Sequence, residues 1–185
     1  EYGHLTTMYV YQPEWAPSDL HEAFSDYFAT TIVDTNLVGL DFYGEGTHLR
    51  EMDNDYVWPR EECNGEEHCE GEVLAGALWH MRENLIASIA DRDEAVALAD
   101  SLFHYLRYGR PMDVHECLPQ ALLVDDDDDD LSNGTPHLEA IATAFDRHQI
   151  GDFEVHIAHV PLFDTEDAST GRLVDAMLSC IYPVD

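Results

Sequence analysis

At 185 residues with 45% hydrophobic content, the chain has room for one domain and part of a second, and enough apolar residues for a core without disulfide staples. Its 39 acidic residues face 8 basic ones, all arginine, for a formal net charge of -31. Nothing here can neutralise a run of phosphates, so nucleic acid is excluded as a partner class, and an anionic membrane surface would repel the chain.

The absence of lysine beside abundant carboxylate fits a halophilic protein, kept soluble in high salt where screening removes self-repulsion. It fits an acidic secreted protein equally well. No apolar run approaches the ~20 residues that span a bilayer, and no signal peptide is present. Because the sequence opens on Glu1 in place of Met, the expectation is a mature or truncated piece of a secreted, extracellular protein.

In chain order, a first helical pattern ends at Pro13, Pro17 and Ser18. Ser18 or Asp19 then caps a second helix that buries Ala23, Phe24, Tyr27 and Phe28. This helix runs on from Thr30 and is left through Asp34, Thr35 and Asn36. Residues 41–64 read as a long polar loop with Gly44, Gly46 and the acidic knot Asp53-Asn54-Asp55. The knot lacks the glycine and closing glutamate of an EF-hand loop, so a solvated turn is the better reading. Val73, Ala77, Leu78, Met81, Leu85 and Ile89 recur at helical spacing, which predicts a core helix with His68 in its lead-in.

A further helix is predicted over 93–108, ended by Gly109-Arg110-Pro111, and another over 113–123, bent at Pro119. His104 and His115 read as packing residues. Six aspartates, Asp125 to Asp130, form a self-repelling solvated loop. Thr135 caps and Pro136 opens a last helix that buries Leu138, Ile141, Ala142 and Phe145. At Gln149-Ile150-Gly151 the periodicity becomes alternating. Phe153, Val155, Ile157 and Val160 read as a strand, Asp164 to Asp167 as a turn, and the apolar run 173–178 is of open type. The fold class expected is mainly α over 1–150, followed over 151–185 by the start of a small β module. Cys63 and Cys69 flank a polar loop and can pair, in a spacing unusual for structural zinc; Cys117 and Cys180 sit in apolar company.

The chemistry gathers in the first 26 residues. Glu1 and His4 lie three apart, and Glu22 and Asp26 four apart, so each pair shares a helix face. If the two helices pack antiparallel, His4 and Glu22 can meet at one metal with Asp26 behind them. Glu1-Tyr2-Gly3-His4 resembles the last four residues of an H-E-x-x-H helix, and the segment Leu20 to Asp26 resembles the downstream E-x-x-x-D segment of thermolysin-like and fungalysin-like zinc metallopeptidases, the gluzincins. Gly71-Glu72-Val73, with Ala75, Leu78 and Trp79 after it, resembles the fungalysin-like H-x-x-G-E-[IV]-W-A-x-x-L-W segment, Leu74 standing where tryptophan is usual.

The resemblance implies zinc held by His4, Glu22 and a histidine that would stand just before Glu1. It makes Glu1 the general base, Asp26 the carboxylate that orients a ligating imidazole, and His68 the oxyanion donor. His137, in Asn133-Gly134-Thr135-Pro136-His137, is the second choice for that last role. The aspartate run resembles segments of secreted peptidases in which closely spaced acids can bind calcium, and His159 to Asp167 resembles the opening of appended β-sandwich modules. The implied function is a zinc metalloendopeptidase acting on protein or peptide substrates, its helical lobe completed by an upstream β-rich lobe and inactive without the first histidine. The alternative is a non-catalytic acidic extracellular module that binds calcium or a partner on the same scaffold.

Overall fold

The computed structural model describes residues 1–151 and, beyond them, the backbone of two strands, residues 154–159 and 176–181. The fold is mainly α. Among the described residues are six α-helices: α1 Tyr2–Tyr11, α2 Ser18–Val33, α3 Glu67–Ser88, α4 Arg92–Leu106, α5 Cys117–Asp125 and α6 Leu138–Arg147. Two short strands, β1 Leu37–Val38 and β2 Arg50–Glu51, pair antiparallel with Val38 opposite Arg50. The chain divides into two compact units, Glu1–Gly151 and Asp152–Asp185. In the second, β3 Glu154–His159 pairs antiparallel with β4 Ala176–Ile181. The expected strand positions Phe153 and Val160, the turn at 164–167 and most of the segment compared with β-sandwich modules lie outside the described residues. Among the described residues no helix is long and apolar enough to cross a membrane.

α3 is the central element, packed against α2, α4 and α6. Its residues 73–82 are all buried, including His80 and Arg82, so over this stretch the helix is buried all round and not on one stripe alone. Around it Phe24 and Tyr27 of α2 pack on Phe103 of α4, the Tyr27–Phe103 pair edge to face with centroids 4.7 Å apart. Aromatic pairs of this kind contribute about 0.5–1.5 kcal/mol beyond their buried area.

Two glycines set the approach of the helices that carry the candidate site. A Cβ on Gly3 would stand 2.6 Å from the Ser25 Cα, so α1 can lie against α2 only with no side chain there. A Cβ on Gly71 would stand 2.8 Å from the Asp19 carbonyl oxygen, which brings the start of α3 against α2. The entry into α3 is tied twice more. Cys63 and Cys69 form a disulfide with Cα atoms 5.4 Å apart, and the Glu66 carboxylate caps the helix by accepting from the His68 and Cys69 amides.

Several boundaries differ from the sequence reading. Pro17, not Ser18 or Asp19, precedes α2, and no side chain caps it. His68 stands inside the first turn of α3, not in its lead-in. The polar stretch 41–64 contains β2, which pairs back on β1 just before the stretch, a fully buried Met52 and a short helical turn at Glu61–Cys63. α6 begins after His137 without a side-chain cap, because the Asp125 carboxylate accepts the His137 amide at 2.7 Å while the Thr135 hydroxyl is left unbonded. A distant carboxylate displaced the local cap.

Candidate metal centre

His4 on α1 and Glu22 on α2 face one another, with His4 Nε2 3.6 Å from Glu22 Oε2. The hydrogen bonds around His4 determine which ring nitrogen carries its proton. Ser25 Oγ donates its own proton to the His21 carbonyl at 2.7 Å, so it can only accept from His4 Nδ1, 2.8 Å away. His4 Nδ1 also stands 2.7 Å from His21 Nδ1, over which the His4 ring is stacked. His4 therefore carries a proton at Nδ1, and Nε2 is the nitrogen that faces the Glu22 carboxylate.

At 3.6 Å the His4 nitrogen and the Glu22 oxygen are too far apart for a hydrogen bond. Two ligands at about 2.0–2.2 Å from one tetrahedral ion would be separated by about 3.3–3.5 Å, so the gap comes within about 0.1–0.3 Å of the spacing across a shared cation. His4, His21 and Glu22 form a group whose potential ligand atoms all lie within 4.8 Å of one another. His21 receives from His4, and burial first, then the neighbouring His4, lowers its pKa. Both effects keep it neutral.

His68 joins from α3. Its Nδ1 is 3.0 Å from Glu22 Oε2 but off the hydrogen-bond direction, and no other group bonds it. Asp26, one turn beyond Glu22, is 6% exposed, and the Arg50 guanidinium grips it with Nη2–Oδ1 2.8 Å and Nε–Oδ2 2.5 Å. This fork raises the Arg50 pKa, the hydrogen bond to Asp26 being the largest cause. It also ties the β1–β2 hairpin to α2 beside Glu22. Both Asp26 oxygens are thus engaged by arginine.

Glu1 precedes α1 as its first capping position and is exposed. It belongs to a separate open cleft of about 480 Å³ lined by Tyr2, Gly3, Ser25, Phe28, Ala29 and Ile32, and is not part of the His4–His21–Glu22 group. His137 is held at 2.7 Å from the buried Asp125 carboxylate and is likewise outside that group. No family model, curated protein or solved structure matches the chain.

Of the residues the sequence singled out, the fold brings together His4, Glu22 and His68, with Asp26 beside them. His21 and Ser25 lie within the segment Leu20 to Asp26 and Arg50 within the stretch 41–64, but the sequence reading gave none of them a role. His21 and Ser25 are four apart on α2, a spacing that puts both on the face receiving α1. Arg50 gave no such signal, because its partner is 24 residues away. The second acidic group, Asp126, Asp127 and Asp128, also has atoms within 4.8 Å of one another, and Asp126 Oδ1 is buried without a hydrogen bond.

Proposed function

We propose that this chain carries part of the active centre of a zinc-dependent peptidase of the gluzincin type. The observation that carries the reading is Nε2 of His4 aimed across 3.6 Å at the Glu22 carboxylate, with Nδ1 committed to Ser25 and His21. His4 and Glu22 suit zinc in donor type, a neutral imidazole nitrogen and a carboxylate oxygen, and in spacing. Zinc bound there would polarise a peptide carbonyl and acidify water.

The chain's own residues have separate parts. His4 and Glu22 hold the ion, and Ser25 keeps His4 in the ligating tautomer. Arg50 and Asp26 keep the Glu22 segment of α2 in register with the hairpin. His68, against the same carboxylate, is the group placed to donate a hydrogen bond to an oxyanion forming beside Glu22. The general-base part falls to Glu1 only by its position three residues before His4, since Glu1 stands outside the His4–His21–Glu22 group.

The test is zinc titration of the chain, of His4→Ala and Glu22→Ala, and of a form with a histidine added just before Glu1. The chain alone should bind weakly through its two ligands, each alanine variant should lose that binding, and the added histidine should tighten it by about tenfold or more. Binding by the chain that both alanine substitutions leave intact would overturn the proposal. Peptide hydrolysis by the chain as it stands is expected to be undetectable. A second reading, a calcium-binding module, draws on the buried unbonded Asp126 Oδ1 in the aspartate loop. It predicts calcium-dependent stabilisation that Asp126→Asn removes.

A further inference from the structure

A second pair of histidines, unused by the proposed function, joins α3 to the end of α6. His80 is 5% exposed and His148 fully buried. His148 Nδ1 is 2.6 Å from the Tyr56 carbonyl oxygen, which only accepts, so Nδ1 carries a proton. His80 Nε2 is 3.0 Å from Asp53 Oδ1, so Nε2 carries one too. Between the rings His80 Nδ1 and His148 Nε2 stand 2.8 Å apart, a contact that holds one proton and only one. Three protons on two rings give the pair one positive charge. With none between the rings, two lone pairs would oppose one another at that separation; with two, a pair of N–H groups would collide.

We propose that His80 and His148 form a one-proton latch, which holds residues 52–58 and the end of α6 against α3 while the pair carries one excess proton and lets them part when it carries none or two. The surroundings suit a single charge. From the 52–58 segment Asp53 and Asp55 face the pair, and Asp55 is itself held by Arg147 of α6 at 2.7 Å. Arg60 lies over the Tyr56 ring, 3.3 Å from its centroid, and is anchored by Glu72 of α3. Burial, the largest cause, pushes the His148 pKa down to about 4, which delays a second excess proton on the pair until acid pH.

Apart from the latch and the Asp55–Arg147 ion pair, residues 52–58 bond to α3 and to the end of α6 at two places. The Trp58 amide donates to the His148 carbonyl at 3.0 Å, and Asn54 Nδ2 reaches the Glu72 carbonyl at 3.3 Å. Gly76 leaves the room in which the pair sits, since a Cβ there would meet His148 Cε1 at 2.7 Å. Asp53 is two residues beyond the end of β2, directly after Met52, so release of the latch would loosen the strand whose Arg50 grips Asp26.

The experiment is long-range 1H–15N NMR of the histidine rings in the full 185-residue chain, with amide exchange, between about pH 4 and pH 9. Near neutral pH the pair should show three ring N–H groups, one of them between the rings. As the excess proton leaves, the Trp58 amide should exchange about tenfold faster than base catalysis alone accounts for, in the same titration step. His80→Gln, which keeps a donor towards Asp53 but cannot titrate, should abolish that step. If His80→Gln does not fold, the wild-type rings decide alone. Two ring N–H groups at neutral pH with the contact intact, or Trp58 exchange with no step, would overturn the latch.

Discussion

The His4–His21 and His80–His148 pairs share nearly the same internal geometry, with ring centroids 4.6 and 5.1 Å apart and facing nitrogens 2.7 and 2.8 Å apart. They differ at their ends. The His80–His148 chain is closed by the Tyr56 carbonyl on one side and the Asp53 carboxylate on the other, so every ring nitrogen has a partner. The His4–His21 chain ends in a nitrogen that faces Glu22 across 3.6 Å, beyond hydrogen-bond reach, and in His21 Nε2, which is buried without a bond. Unmet hydrogen-bonding capacity gathered among residue types that ligate metals marks a candidate place for something else to bind. Stacked histidines alone do not, and their remaining nitrogens carry the information.

This contrast can be broken most forcefully at His68. In any form of the chain with peptidase activity, His68→Ala should lower turnover by about 10²–10³-fold with zinc content unchanged, the loss typical of one oxyanion donor. His137→Ala should leave turnover near the parent value, because His137 is committed to Asp125. The opposite pattern would move the oxyanion donor to His137.

Next in size are two effects on folding stability. Arg50→Met leaves the buried Asp26 carboxylate without its fork and should cost about 2–3 kcal/mol in urea unfolding at neutral pH, a buried-pair loss reduced for the partial exposure of Arg50. An unchanged midpoint would remove Arg50 from the support of α2. At the closed pair, His148 has a pKa depressed from 6.5 to about 4. A depressed histidine contributes stability that is complete above its unfolded value and is lost as the pH falls towards the folded one. Between pH 6.5 and 4 the chain should therefore lose up to about 3 kcal/mol that His148→Gln does not lose, by the same urea titrations. Parallel acid limbs for the two proteins would show that His148 is not held neutral.

The smallest effect should come from Ser25→Ala. It removes the acceptor that keeps the His4 proton on Nδ1 without touching a ligand, and should weaken zinc binding about tenfold while leaving the melting temperature nearly unchanged. A zinc affinity equal to that of the parent would mean that His21 alone holds the tautomer.

Much of the helical framework was readable in advance because its signals are local. Proline at 13 and 17 separates α1 from α2, and the apolar spacing in residues 73–85 marks α3. The pairing of Cys63 with Cys69 was one of two open outcomes. His4 and Glu22 were legible as partners because a short turn between amphipathic helices favours an antiparallel return. Less legible were features whose partners lie far along the chain. Asp125 displaced Thr135 at the start of α6, and Arg50 took both oxygens of Asp26, across 12 and 24 residues respectively.

The sequence by itself determined the mainly helical class, the acidic surface and the residue types able to hold a metal, since helical periodicity, charge and donor chemistry are carried by neighbouring residues. Tertiary structure decided which nitrogen of each histidine is free. That choice depends on where the Ser25 hydroxyl, the Tyr56 carbonyl and the Asp53 carboxylate lie in space, and a hydrogen bond forms or fails over a few tenths of an ångström that no spacing along the chain encodes.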